Sequence, residues 1–86
     1  MKTTIELITD ALKTAFHDAD IVVKDDKEEH IGHAHQDSGH FTVMIKSAAF
    51  EGKTPIQQHR MVYAALGTLM EARVHALRIQ ASTKAG

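Results

Sequence analysis

At 86 residues the chain has room for one domain, residues 1–86, with one modest core and no interdomain cleft. Aromatics are only 5% and neither Trp nor Cys occurs, which excludes a base-stacking platform, disulfides, zinc–thiolate sites and an iron–sulfur cluster held on this chain's own thiolates. The net charge is −1 at pH 7, yet residues 18–37 carry seven acids against two lysines while residues 38–86 carry six bases against two acids, so an acidic and a basic surface region are expected.

No apolar run approaches the roughly 20 residues that span a bilayer, and the N-terminus is polar after Met1. A cytoplasmic protein with no membrane segment is expected. Thr3-Thr4-Ile5-Glu6 opens a helix, because Thr3 and Glu6 stand at capping-box spacing. Ile5, Ile8, Leu12, Ala15 and Phe16 continue it as one apolar stripe. His17 stands at its end, where a cation suits the helix dipole. Ile21-Val22-Val23 is a β-branched run and reads as a short strand.

Residues 25–39 have no period and read as an irregular loop, long enough to suggest function. Phe41, Val43 and Ile45 then alternate with Thr42, Met44 and Lys46, the pattern of a strand with one buried face, antiparallel to the first. A short helical turn near Ala48–Phe50 and a turn over 50–53 follow. Thr54-Pro55 starts a second helix, with Thr as cap and Pro at the first helical position. Its stripe of Ile56, Val62, Ala65, Leu66 and Leu69 carries it to about Ala72. From His75 to Ser82 a third strand alternates Leu77, Ile79 and Ala81 with Ala76, Arg78 and Gln80. The order α-β-β-α-β is an α+β fold, a three-stranded sheet packed on helices, with the second helix crossing between strands two and three.

Seven histidines are many for this length, and His30, His33, His35 and His40 fall between residues 30 and 40. Imidazole binds zinc, copper, iron and nickel, and a Gly-containing loop can bend to aim it. The same residues also read as plain exposed loop histidines, since their spacing is not that of a metalloprotease helix. His59 and His75, taken singly, read as structural.

Enzyme patterns are missing. Ser38, Ser47 and Ser82 lie in no nucleophile elbow, no phosphate-binding loop or dinucleotide fingerprint occurs, and the acids at 25–29 read as a solvated run. A non-enzymatic chain is expected. The element order is shared with KH modules, but no GXXG clamp is present. Lys53, Arg60, Arg73, Arg78 and Lys84 are candidate phosphate contacts on a chain of slightly negative charge.

The segments GHFTVMIKSAAFEGK (39–53), QHRMVYAAL (58–66) and VHALRI (74–79) resemble the BolA family, in order and at family spacing. The resemblance covers essentially the whole chain, apart from the C-terminal extension of longer members. It implies a class II KH-like α-β-β-α-β fold and a partnership with cytosolic monothiol glutaredoxins. Partner and chain together would hold a bridging [2Fe-2S] cluster, with thiolates from glutaredoxin and bound glutathione and none held by the isolated chain. The family's strand-start ligand maps onto His75. Its loop ligand is best matched by His33, after Gly32, with His30 and His35 as substitutes.

Exchanging thiolate for neutral imidazole removes negative charge from a cluster and raises its potential, and it makes binding sensitive to pH. Such ligation suits cluster trafficking or iron sensing. The free chain is expected to be a monomer or weak homodimer. Some bacterial relatives are described as regulators of morphology and stress genes. That gives the alternative reading, a DNA-binding transcriptional regulator using Lys53, Arg60, Arg73 and Arg78.

Overall fold

The computed structural model describes residues 3–26, 39–74 and 76–84. Helix α1 spans Thr4–Ala15 and begins with the expected capping box. The Glu6 N–H donates to the Thr3 hydroxyl at 3.1 Å, and the Thr3 N–H donates to Glu6 Oε1 at 2.8 Å. Strand β1 is Asp20–Asp25 and β2 is His40–Lys46. A 3₁₀ turn at Ala48–Phe50 leads towards α2, Pro55–Leu66, then a one-turn α3, Leu69–Ala72, and β3, Ala76–Ser82. At the start of α2, Thr54 and Gln57 form a second capping box, with Pro55 in the first turn.

The sheet order is β1-β2-β3. β1 runs antiparallel to β2, with Val23 opposite Val43, and β3 runs parallel to β2, with Val43 opposite Ile79. A parallel return needs a crossover, and α2 with α3 supplies it. The period-two strands sort cleanly. Phe41, Val43 and Ile45 are buried at the centre, flanked by half-buried Ile21, Val23, Leu77 and Ile79. Ile8 and Leu12 of α1, Val62 and Leu66 of α2, and Phe50 of the 3₁₀ turn close over that face. The opposite face, with Val22, Lys24, Met44, Arg78 and Gln80, is covered by no helix among the described residues.

Three expectations need correction. The second helix does not run unbroken to Ala72. It stops at Leu66, where Gly67 takes φ 57° and donates its N–H to the Tyr63 carbonyl at 3.0 Å, before a fresh turn starts at Leu69. That positive φ is cheap only for glycine. Ile56 is not part of the buried stripe but is 65% exposed. Six residues from Val62, it lies about 120° away round the helix. Ala15 is exposed, and Phe16 enters the core from the C-cap instead, at φ −128°.

A candidate metal centre at one end of the sheet

His30, His33 and His35 lie in the segment 27–38, and His75 stands between Val74 and Ala76; all four are outside the described residues. Their flanking residues are described. Gly39, buried and at φ 75°, turns the chain into β2. Its carbonyl accepts the Ala76 N–H at 3.1 Å. The residue preceding that segment is tied to the same place, because the Asp26 N–H donates to the His40 carbonyl at 2.8 Å. The Thr42 hydroxyl then donates to Asp26 Oδ2 at 2.6 Å. Asp26, Gly39, His40 and Ala76 therefore gather the exit from β1, the entry to β2 and the entry to β3 at one sheet end. Sequence reading missed Asp26, Gly39 and Thr42 as parts of this frame. Only Ser38-Gly39, a turn-type dipeptide before a strand, signalled any of it.

The remaining histidines are dispersed. His40 starts β2 with an exposed side chain, His59 is half-buried on α2, and His17 is exposed just past α1. Among the described residues no three His, Cys, Asp or Glu side chains gather as a metal site. With no cysteine in the chain, a cluster here would need thiolates from elsewhere.

The basic candidates do not form one patch. Lys53 is exposed just ahead of α2, and Arg60 is exposed on it. Arg73 donates from its guanidinium to the buried Thr4 hydroxyl at 3.3 Å, tying the approach to β3 to the start of α1. Arg78 alternates with the core-facing Leu77 and Ile79, so it lies on the open face, across the sheet from α2.

At the opposite end of the sheet Asp18 accepts from the Ser47 hydroxyl at 2.7 Å and from the Ala48 N–H at 2.9 Å. The Ala48 amide and then the Ser47 hydroxyl hold its carboxyl below the ordinary value. These bonds lock β1 to the 3₁₀ turn and are structural.

The family model described as BolA-like protein matches residues 12–86. The chain belongs to the BolA family. BolA-like protein 1 of Bos taurus is 52% identical over 46 residues, which are 54% of this chain and 34% of that protein. The chain thus spans about a third of the length of the curated animal relatives it matches. The DNA-binding transcriptional regulator BolA of Escherichia coli (strain K12) is 33% identical over 78 residues, covering 91% of this chain and 73% of that protein. Among solved structures, the BolA domain of SufE1 from Arabidopsis thaliana superposes with a TM-score of 0.82 at 30% identity, covering 99% of this chain and 96% of that one. The α+β architecture is that of the solved BolA structures. No helix among the described residues is long and apolar enough to cross a membrane.

Proposed function

We propose that this BolA-like chain is a cytoplasmic adaptor for iron–sulfur cluster trafficking or iron sensing, not an enzyme. It binds a monothiol glutaredoxin and completes a bridging [2Fe-2S] cluster with His75 and His33, His30 and His35 being the substitutes. The single observation that supports this is the Ala76-to-Gly39 hydrogen bond. It ties the residue after His75 to Gly39, the first described residue after the histidine-bearing segment, which supports ligands drawn from both stretches. A chain without cysteine fits the role of the partner that supplies nitrogen ligands while glutaredoxin and glutathione supply sulfur. The cluster is cargo, and Asp26 and Gly39 flank the segment that would supply the loop imidazole.

The test is anaerobic reconstitution with a monothiol glutaredoxin, glutathione, iron and sulfide, followed by visible absorption and circular dichroism. A mixed cluster whose spectrum changes on His75→Ala is expected. Identical spectra and lifetimes for parent and variant would remove His75 as a ligand.

The second reading is a DNA-binding regulator. It is favoured by the match to the Escherichia coli regulator over most of this chain. It is weakened by the dispersal of Lys53, Arg60, Arg73 and Arg78 over two faces of the sheet. A gel-shift salt series separates the two readings, as phosphate binding weakens linearly in log salt.

A further inference from the structure

Strand β1 is one border of the sheet, and among the described residues no strand pairs with its outer edge. The Asp26 N–H donates to the His40 carbonyl, in step with the β1–β2 register. Antiparallel strands alternate residues whose backbone groups turn to the partner with residues whose groups turn away. Val22 and Lys24 therefore direct theirs to β2, whereas Ile21 and Val23 present N–H and C=O at the outer edge. The strand holds neither Pro nor Gly, so nothing in its backbone blunts that edge.

Its side chains are complementary to themselves. A second β1 laid antiparallel about a two-fold axis at Val22 sets Ile21 opposite Val23, Val22 opposite Val22, and Asp20 opposite Lys24. Ile21 and Val23 then exchange backbone hydrogen bonds on each side of the axis, through groups that already point outward. Asp20, Val22 and Lys24 fall at the non-hydrogen-bonded positions, where facing side chains approach most closely. All three are exposed, and Val22, at 50%, is covered by its own counterpart. The Asp20 side chain stays 76% exposed beside Lys84 Nζ at 3.5 Å, which leaves it open to a second cation.

The match holds in one register. Centring the axis on Ile21 sets Val22 against Asp20, and centring it on Val23 sets Asp20 against Asp26. A lysine on an edge strand ordinarily turns a second strand away. Here the axis at Val22 gives Lys24 an acid to meet in each copy. β3, the other border, carries Arg78 and no acid, so it has no such match.

We propose that β1 is a self-pairing surface whose partner is a second copy of this chain. The two copies join edge to edge in one continuous sheet, with Asp20 of each meeting Lys24 of the other. Pairing over so short a strand belongs to the weak, transient class of contacts.

The experiment is sedimentation equilibrium of the chain from about 10 μM to about 1 mM, and a reversible dimer is expected. Asp20→Lys and Lys24→Asp each set like charges together on both sides of the axis, and each is expected to weaken the dimer by about tenfold or more. The double variant exchanges the two charges and is expected to restore the parent's association. The substituted side chains are exposed and the Lys84 pair is a surface one, so thermal unfolding of all three variants should match the parent. Isotope-filtered NMR on mixed labelled and unlabelled parent reads the interface without any substitution, and a Val22-to-Val22 contact between copies is expected. A parent that stays monomeric at about 1 mM overturns the proposal. A dimer indifferent to both single variants, or a double variant no tighter than the singles, overturns it as well. A dimer lost in Tyr63→Ala but kept in Asp20→Lys would place the contact on α2 and overturn it too.

Discussion

Thr42 donates its hydroxyl to the Asp26 carboxylate at 2.6 Å, joining the middle strand to the point where the chain leaves β1. Thr42 is only 8% exposed although it belongs to the open face of the sheet. The bond therefore stands partly shielded, and it adds a side-chain staple to the backbone bond from Asp26 to His40. Thr42→Val keeps the β-branched shape and removes only the donor. A loss of about 1 kcal/mol in urea unfolding is expected. The Asp26 amide should exchange faster by NMR. An unchanged exchange rate would mean that the backbone bond alone holds the loop.

At the other end of the sheet, Ser47 is fully buried, donates to Asp18 and accepts from the Ala49 N–H at 3.1 Å. Ser47→Ala removes both bonds and is expected to cost about 1–3 kcal/mol. The pH dependence follows from the lowered Asp18 pKa, caused first by the Ala48 amide and then by the Ser47 hydroxyl. The folded state favours the carboxylate, so its contribution is present above the unfolded-state pKa and is lost as pH falls through the folded one. Asp18→Asn should flatten the fall in stability below about pH 4, read from urea midpoints across pH. A parallel fall in parent and variant would contradict this.

Phe50 carries the 3₁₀ turn into the core and stacks against Phe16, with ring centroids 5.2 Å apart and planes tilted by 44°. Phe50→Ala is expected to cost about 3–5 kcal/mol. A domain of this size has a total stability of that order to roughly three times it. Phe50→Leu should be milder and remain cooperatively folded. Calorimetric melting of both distinguishes loss of packing from loss of the turn.

The local signals of the fold were legible because each is made within a few residues. The Thr3–Glu6 box, the Thr54-Pro55 start and the alternation at Phe41, Val43 and Ile45 need no distant partner. Ile56 was misplaced by treating any nearby apolar residue as part of the stripe, although its phase matches Tyr63 rather than Val62. Gly67 was legible as a residue type but not as a break, because Leu69 continued the apolar count beyond it. The Asp18–Ser47 and Thr42–Asp26 bonds join residues 29 and 16 positions apart, and no period in the sequence encodes such pairs. Position 75 was singled out by family resemblance, whereas composition alone made it an ordinary strand residue.

For the loop, His33→Ala is expected to shorten the lifetime of the mixed cluster more than His30→Ala or His35→Ala. The motive is Gly32-His33, which matches the family's loop position. The decay of visible circular dichroism under air measures it. Equal effects from all three would mean interchangeable imidazoles and no single loop ligand.

Duplex DNA should bind this chain weakly and without sequence preference, for a reason that the placement of its bases makes quantitative. Four phosphate contacts by Lys53, Arg60, Arg73 and Arg78 would give a slope of log K against log salt near about −3.6. Arg73 is engaged with Thr4, and Arg78 lies across the sheet from α2. One rigid duplex laid along α2 therefore reaches Lys53 and Arg60, for a slope of about −1.8. Arg60→Ala should halve that slope. Arg78→Ala should leave it unchanged, and Arg73→Ala should register as lost thermal stability through Thr4 rather than as lost binding. Fluorescence anisotropy over a salt series reads all three. Nanomolar binding at about 150 mM salt, with a slope near −3.6 and a preference of about a hundredfold for one promoter fragment over scrambled DNA, would overturn this and favour the regulator reading.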